Sequence, residues 1–273
     1  MAFDFKKDVG TWITRQIKPI IKEHGMIPGY GKSFVRECNG VVQCIRFDFT
    51  RIELRFSAEI QPVYDHYCGT ALYNGVPAEI YQTEQGKFVT QHHPLAYGCW
   101  DDHLRICAGD ENVAEQNRRN AKEIFDILVD FIEADLMPCF ERINTLDKWH
   151  EQVMLNLSFH NPLALKANYA GEYLFGVYDC LQQRYDDGLQ KLLQVCDYTS
   201  ISIDEMRKRD NGYDVNHLKR NDGEGRAYKF ARMFTEVLAF DDKIRAEKLQ
   251  IAYEHVCHEM RVWHKLKTKA NVK

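Results

Sequence analysis

The chain has 273 residues, 45% of them hydrophobic and 12% aromatic, enough apolar material for one large domain or two modest ones. Lys and Arg number 36 against 40 Asp and Glu, a net charge of −4 with no general basic excess, so nucleic acid is not an expected partner. No apolar run approaches the roughly 20 residues of a bilayer-spanning helix, and the opening MAFDFKKDVG lacks the apolar centre of a secretory signal. The expectation is a cytoplasmic protein with no membrane contact.

The first element reads as helix. Phe5, Val9, Trp12, Ile13, Ile17, Ile20 and Ile21 recur at intervals of three and four, which lines them along one face. Pro19 interrupts that line, so either a kink or a second short helix starts there. Gly25 ends the element, and MIPGYG is a turn-rich loop. From Lys32 the period changes to two. KSFVREC, Asn39-Gly40 and VVQCIRFDF read as two strands joined by a two-residue type I′ turn, because Asn-Gly tolerates the positive φ which that turn needs. RIELRFSAEIQPV supplies a third strand, Ile52, Leu54, Phe56, Ala58 and Ile60 alternating with charged or polar neighbours. Such alternation predicts one buried and one wet face, with the first helix covering the apolar side.

Residues 61–109 carry turn signals at Asn74-Gly75 and Gln85-Gly86 and a short strand around Lys87 to Gln91. After Asp110, a helix is expected along Ala121, Ile124, Ile127, Leu128, Phe131 and Ala134. Thr145 is placed to cap the next helix, LDKWHEQVMLNL, and Asn161-Pro162 pairs a capping residue with proline at the first helical position. Beyond Pro162 only helix signals remain. LALKANYAGEYLFGVYDCLQQ and DDGLQKLLQVCDY suit an antiparallel pair. Ser202 and Glu205 form a capping box flanked by Ile201 and Met206. A charged, glycine-containing stretch over 207–229 reads as a solvated connection, and one long helix over about 230–266 closes the chain. The predicted fold class is α+β: an N-terminal antiparallel β-meander with covering helices over 1–158, then an all-helical region over 162–273.

The stretch IKPIIKEHGMIPGYGKSFVRECNGVVQCIRFDFTRIELRFSAEIQPVYD resembles a bacterial family of unknown function. That family joins a helix with a proline-containing end, a strand closing at an Asn-Gly hairpin, and two further strands. Here those elements correspond to Pro19 to Met26, Phe34 to Gly40, Val41 to Phe49 and Leu54 to Pro62. Trp100 resembles the family's tryptophan before its closing helix, and Met137-Pro138 its Leu-Pro near that helix's end. The likeness covers about residues 5–155, and departs from the family at Met26, where an aromatic is common, and at Asp48, where a glutamine is common. It implies a fold and carries no catalytic residues. Family members are sometimes encoded near toxin systems, which implies a binding or immunity role.

Four stretches invite chemistry. QHHPLAYGCWDDH packs His92, His93, Cys99, Asp102 and His103 into thirteen positions, the residue types that hold zinc. Yet His92 and His93 are adjacent and would point oppositely on a strand, and Pro94 breaks the strand. A structural junction is the favoured reading there. EHVCHEM (Glu254 to Met260) lacks the HExxH order that sets two histidines on one helix face around a general base. Leu249, Ala252, Tyr253, Val256, Met260 and Trp263 form the apolar stripe of that helix, which leaves His258 opposite it and His255 on its flank. GYGKS (residues 29–33) imitates the end of a phosphate loop, but the required glycine is replaced by Met26 and the loop leads into a strand. DGEG at Asp222 to Gly225 reads as a turn. The basic tail from Arg261 suits a helix C-terminus. Nine cysteines, odd in number and without CxxC spacing, read as free thiols.

The expectation is therefore a non-enzymatic cytosolic binding protein, a protein-interaction or immunity-type module whose partner is another protein, with no cofactor. The alternative is a metal-dependent hydrolase using His92, His93, Cys99, Asp102 and His103, with His66 as a further ligand.

Overall fold

A computed structural model describes residues 10–29, 31–49, 54–65, 78–82, 88–92, 126, 129–130, 132–159, 169–210, 212–217 and 222–266. The chain divides into two compact units, one formed by Met1–Gln61 with Tyr73–Asn156 and the other by Pro62–Leu72 with Leu157–Lys273.

The first unit is built on a four-stranded antiparallel sheet in the order β1-β2-β3-β4, with β1 Ile27–Pro28, β2 Ser33–Cys38, β3 Val41–Phe49 and β4 Leu54–Pro62. Cys38 pairs with Val41, so Asn39 and Gly40 alone make the turn, at φ of 46° and 86°. That is the type I′ hairpin which Asn-Gly specifies. A separate two-stranded sheet joins β5 (Ala78–Gln82) to β6 (Phe88–His92), so the strand expected around 87–91 exists and finds its partner upstream.

The helix preceding the sheet, α1, runs through Pro19 without stopping. A π-helical turn over Ile13–Ile17 leads into α-helix over Lys18–Glu23, with the Lys18 N–H reaching back five residues to the Ile13 carbonyl. The wide turn places Pro19 in the first turn of the α-helical part, where its missing N–H is no loss. The same device recurs in α2, π-helical over Ile132–Leu136 and α-helical over Met137–Arg142 with Pro138 near its start. Gly25 ends α1 at φ 75°, its N–H on the Lys22 carbonyl and the Met26 N–H on that of Ile21, the Schellman arrangement. Thr145 caps α3 (Leu146–Phe159), its Oγ accepting from Lys148 N–H at 3.2 Å.

Trp12 meets Phe47 edge to face at 6.2 Å, and Ile17 and Ile21 are fully buried, so α1 covers the sheet as its periodicity predicts. The expected wet face is a correction. β3 is buried from Val41 to Ile45 on both sides, and in β4 the polar Glu59 and Gln61 are only 5% and 2% exposed. VVQCI is a nearly continuous apolar run, the signature of a strand covered on both faces.

The second unit contains α4 (Tyr169–Leu181), α5 (Tyr185–Arg209), α6 (Gly223–Leu238) and α7 (Asp242–His264), with Tyr64 of the Pro62–Asp65 segment packed edge to face on Tyr173 and Tyr253. The expected α4–α5 pairing is present, and the three residues between the helices turn the chain back on itself. Three readings of this region are corrected. Ser202 and Glu205 cap nothing: they lie inside the 25-residue α5, because Leu192, Val195, Thr199 and Ile203 continue one buried stripe through the site. Thr199 spends its hydroxyl on the Val195 carbonyl and so stays compatible with helix. Asp222 to Gly225 is a helix start, the Asp222 carboxylate accepting from Gly225 N–H at 2.8 Å. The closing helix is two helices, because Asp241 at ψ 149° breaks the chain between α6 and α7, and Arg245 donates to the Phe240 carbonyl that the break exposes.

Candidate functional site

Among the described residues, a concavity lies in the first unit, between α1 and the β1–β2 hairpin. It encloses about 670 Å³, within the range of small-ligand and peptide-anchor sites. From α1 it is lined by Gly10, Thr11, Ile13, Thr14, Arg15 and Lys18, and from the hairpin by Pro28, Gly31, Lys32, Ser33 and Phe34. The helix contributes this face for a simple reason. Thr14, Arg15 and Lys18 stand within about one turn of one another and are exposed, whereas Ile13, Ile17 and Ile21 are buried.

The hairpin wall is fixed by its backbone. Gly29 N–H donates to the Ser33 carbonyl at 2.9 Å, and Phe47 N–H of β3 donates to the Lys32 carbonyl at 3.0 Å, which anchors Lys32 to the sheet. At Gly29 an added Cβ would stand 2.6 Å from Ser33 Oγ and 3.0 Å from Val35, so a larger residue there would have to displace the Ser33 side chain. Thr14, which lines the groove, donates its hydroxyl to the Gly10 carbonyl at 2.8 Å. Three cationic side chains, Arg15, Lys18 and Lys32, are all exposed at the rim, while Ile13, Ser33 and Phe34 are buried beneath them. Among the described residues the lining includes no carboxylate, imidazole or thiol. Among the described residues the groove thus presents Arg15 and Lys18 on one wall and Lys32 on the other, beside the buried Ile13 and Phe34.

The groove absorbs the GYGKS stretch in a role its phosphate-loop likeness did not suggest: Gly31, Lys32 and Ser33 form one wall of a cleft entered from the side of a strand hairpin. The sequence signal for the other wall was the Thr11, Thr14/Arg15, Lys18 spacing on the polar side of the first helix. Nothing in the sequence paired it with Lys32, which is close only because the Schellman turn and β1 fold the chain back.

Behind the groove, a polar network ties the sheet to both helices. Arg36 donates through Nη1 to the His24 carbonyl at the end of α1 (2.7 Å), through Nη2 to Glu141 of α2 (2.6 Å), and through Nε to Gln43 (2.5 Å). Gln43, wholly buried, passes its amide hydrogens to the Phe140 and Ile143 carbonyls at the end of α2 (2.5 and 3.1 Å). These two side chains satisfy carbonyls that a helix end leaves over.

The metal-type residues stand elsewhere. His92 is the last residue of β6, its backbone opposite Ala78. His93, Cys99, Asp102 and His103, like His66, lie outside the described residues. Among the described residues no group of three or more His, Cys, Asp or Glu converges as a metal site. In EHVCHEM the side chains diverge as their helical positions dictate. His255 Nε2 lies 2.9 Å from Glu259, which also holds Lys229 at 2.7 Å, Cys257 is buried, and His258 is exposed.

The chain matches no protein-family model, no curated protein and no solved structure. Among the described residues, no helix is long and apolar enough to cross a membrane.

Proposed function

We propose that the chain is a non-catalytic binding protein of the protein-interaction or immunity type, acting in the cytoplasm, whose N-terminal unit engages another protein through the α1/β1–β2 groove. The observation that carries this reading is the composition of the groove: among its described lining residues stand Arg15, Lys18, Lys32 and the Thr14 hydroxyl beside the apolar Ile13, Pro28 and Phe34, and no carboxylate, imidazole or thiol. Such a lining suits recognition by charge and shape, whereas proton transfer needs a titratable side chain within hydrogen-bond reach of its substrate.

Site-specific photo-crosslinking tests it in the native host. A photoreactive residue at Thr14, inside the groove, is expected to trap one discrete protein partner, while the same residue at the exposed Ile201 of α5 traps none. Failure of Thr14 to crosslink any protein, together with turnover of a hydrolase substrate panel by the purified chain, would overturn the proposal.

A further inference from the structure

The turn that closes the first hairpin is also its chemically most reactive point. In an Asn-Gly pair the glycine nitrogen reaches the asparagine side chain without a Cβ in the way, so the backbone turns readily on its own neighbour. We infer that Asn39-Gly40 is a site of spontaneous deamidation and isomerisation, held shut by the folded hairpin and opened when the hairpin unfolds.

The reaction needs only water. The Gly40 nitrogen gives up its proton and attacks the side-chain carbonyl carbon of Asn39, the bond from that carbon to the amide nitrogen breaks, and ammonia leaves with the proton. Water then opens the cyclic imide at either carbonyl. Opening at the carbonyl of the main chain gives isoaspartate, with the backbone rerouted through the side-chain carbons, and opening at the other gives aspartate.

Ring closure makes one geometric demand: the Gly40 nitrogen must come to the same side of the Cα–C bond as Cβ. The folded turn denies it. Asn39 and Gly40 stand at φ 46° and 86°, and Cys38 pairs with Val41 across them, as a type I′ turn requires. In that left-handed region ψ is small and positive, which sets the following nitrogen nearly opposite Cβ. The carboxamide is held as well. Asn39 Nδ2 donates to the Asn144 carbonyl at 3.2 Å, in the link between the end of α2 and the Thr145 cap of α3. Attack therefore requires both the turn and this bond to give way. Asn39 is exposed, so solvent reaches it and conformation alone is the barrier.

Either product removes something the folded unit uses. Aspartate tolerates left-handed backbone, but its carboxylate has no hydrogen to give the Asn144 carbonyl and sets like charge against it. Isoaspartate lengthens the main chain inside a turn in which Asn39 and Gly40 alone join Cys38 to Val41, so the turn no longer fits the strand register. Damage done in the unfolded chain is thus carried into refolding.

The experiment incubates the full chain in mildly alkaline buffer, native and in urea, then maps its peptides by mass spectrometry with aspartyl and isoaspartyl forms separated. Asn74-Gly75 of the urea-unfolded chain is the reference for an unconstrained pair. In urea Asn39 is expected to convert about as fast as Asn74, with isoaspartate in excess. In native buffer the rate at Asn39 equals the unfolded rate multiplied by the fraction of time the hairpin is open, and is expected to be lower by roughly tenfold or more. Asn39→Gly, which suits the same turn and has no side-chain amide, is expected to show no mass change at this position in urea. Asn39→Asp is expected to stay folded by circular dichroism with a lower urea midpoint than the parent chain, and chains enriched in isoaspartate at position 39 to have a lower midpoint still.

Conversion of Asn39 in the native chain at a rate within about twofold of that in urea would overturn the gate. Conversion to aspartate alone, or persistence of Asn39 in urea while Asn74 converts, would overturn the site itself. A midpoint for Asn39→Asp at or above that of the parent chain would overturn the part assigned to the bond with Asn144.

Discussion

At the scale of single residues, the N-terminal unit depends on Gln43. Its side chain is wholly buried, accepts from Arg36 and donates to two carbonyls at the end of α2. Gln43→Met keeps the volume and removes all of those bonds, leaving the Phe140 and Ile143 carbonyls and the Arg36 Nε buried without this partner. Urea denaturation is expected to show a loss of about 2–4 kcal/mol, because stranding buried polar groups costs more than a typical hydrogen bond contributes. The cysteines give a pH signature. Burial, reinforced by the Asp179 carboxylate, pushes the Cys180 thiol up from the ordinary 9.0 to about 12, and burial with Asp197 pushes Cys196 to about 11. Both thiols therefore stay protonated in the folded chain well above neutral pH, and native-state alkylation at about pH 8, read by mass spectrometry, is expected to be far slower at these two sites than in the urea-unfolded chain. A raised folded-state value also fixes the sign of the stability change. The contribution is complete below the unfolded-state value near 9.0 and is lost as pH climbs from there through about 11 to 12. Urea midpoints should accordingly fall between about pH 7 and about pH 10.5, and a midpoint that rose over that interval would contradict the assignment.

At the scale of elements, the contact between α4 and α5 is decided by Gly188. A Cβ there would stand 2.5 Å from the Cys180 sulfur and 2.9 Å from the Gly176 carbonyl oxygen, and the latter is backbone that cannot swing aside. In an unconstrained helix, glycine to alanine gains up to about 1 kcal/mol. Here Gly188→Ala is expected to cost about 1–3 kcal/mol, since the helices must separate. Gly176→Ala meets mainly the Leu192 side chain, at 2.9 Å, which can rotate, so its cost should be smaller. Thermal melts of the two variants test that order, and a stabilised Gly188→Ala would mean that the helices are not in close contact. Asp179 closes the same corner, its carboxylate accepting from Arg184 Nε at 3.0 Å, from Arg184 Nη2 and from Lys191 Nζ at 2.6 Å. The two proline-bearing helices share one solution at this scale. In both α1 and α2 a wide π-helical turn precedes the proline, which stands in the first turn of a short α-helical segment; at Pro19 that segment is the second short helix the sequence allows.

At the scale of the whole molecule, two units each hold a core of their own, one around Ile17, Ile45, Phe47 and Phe140, the other around Tyr64, Tyr173, Phe230 and Val256. Calorimetry is expected to need two transitions, of which Trp149→Ala, in the first unit, lowers one and Gly188→Ala, in the second, lowers the other; a single transition moved equally by both would contradict it. The α+β class, the Asn-Gly hairpin, the end of α1 at Gly25 and the helix cap at Thr145 were all legible in the sequence. Each is set by neighbours in the chain: a period of two or of 3.6, a residue that tolerates positive φ, a hydroxyl in reach of the next N–H groups. Local signals misled where packing outweighed them. The capping box at Ser202 lost to a buried stripe that runs through it, and the alternation in β4 suggested a wet face that is in fact covered. The candidate site was legible only in halves, as a polar helix face at Thr11 to Lys18 and a glycine turn at Gly31 to Ser33. Local sequence determined those two walls, because spacing along the chain fixes which side chains share a face. Tertiary structure alone decided that they form one basic groove, because their approach depends on the sheet holding the hairpin, through the Lys32 carbonyl, against the helix it has just left.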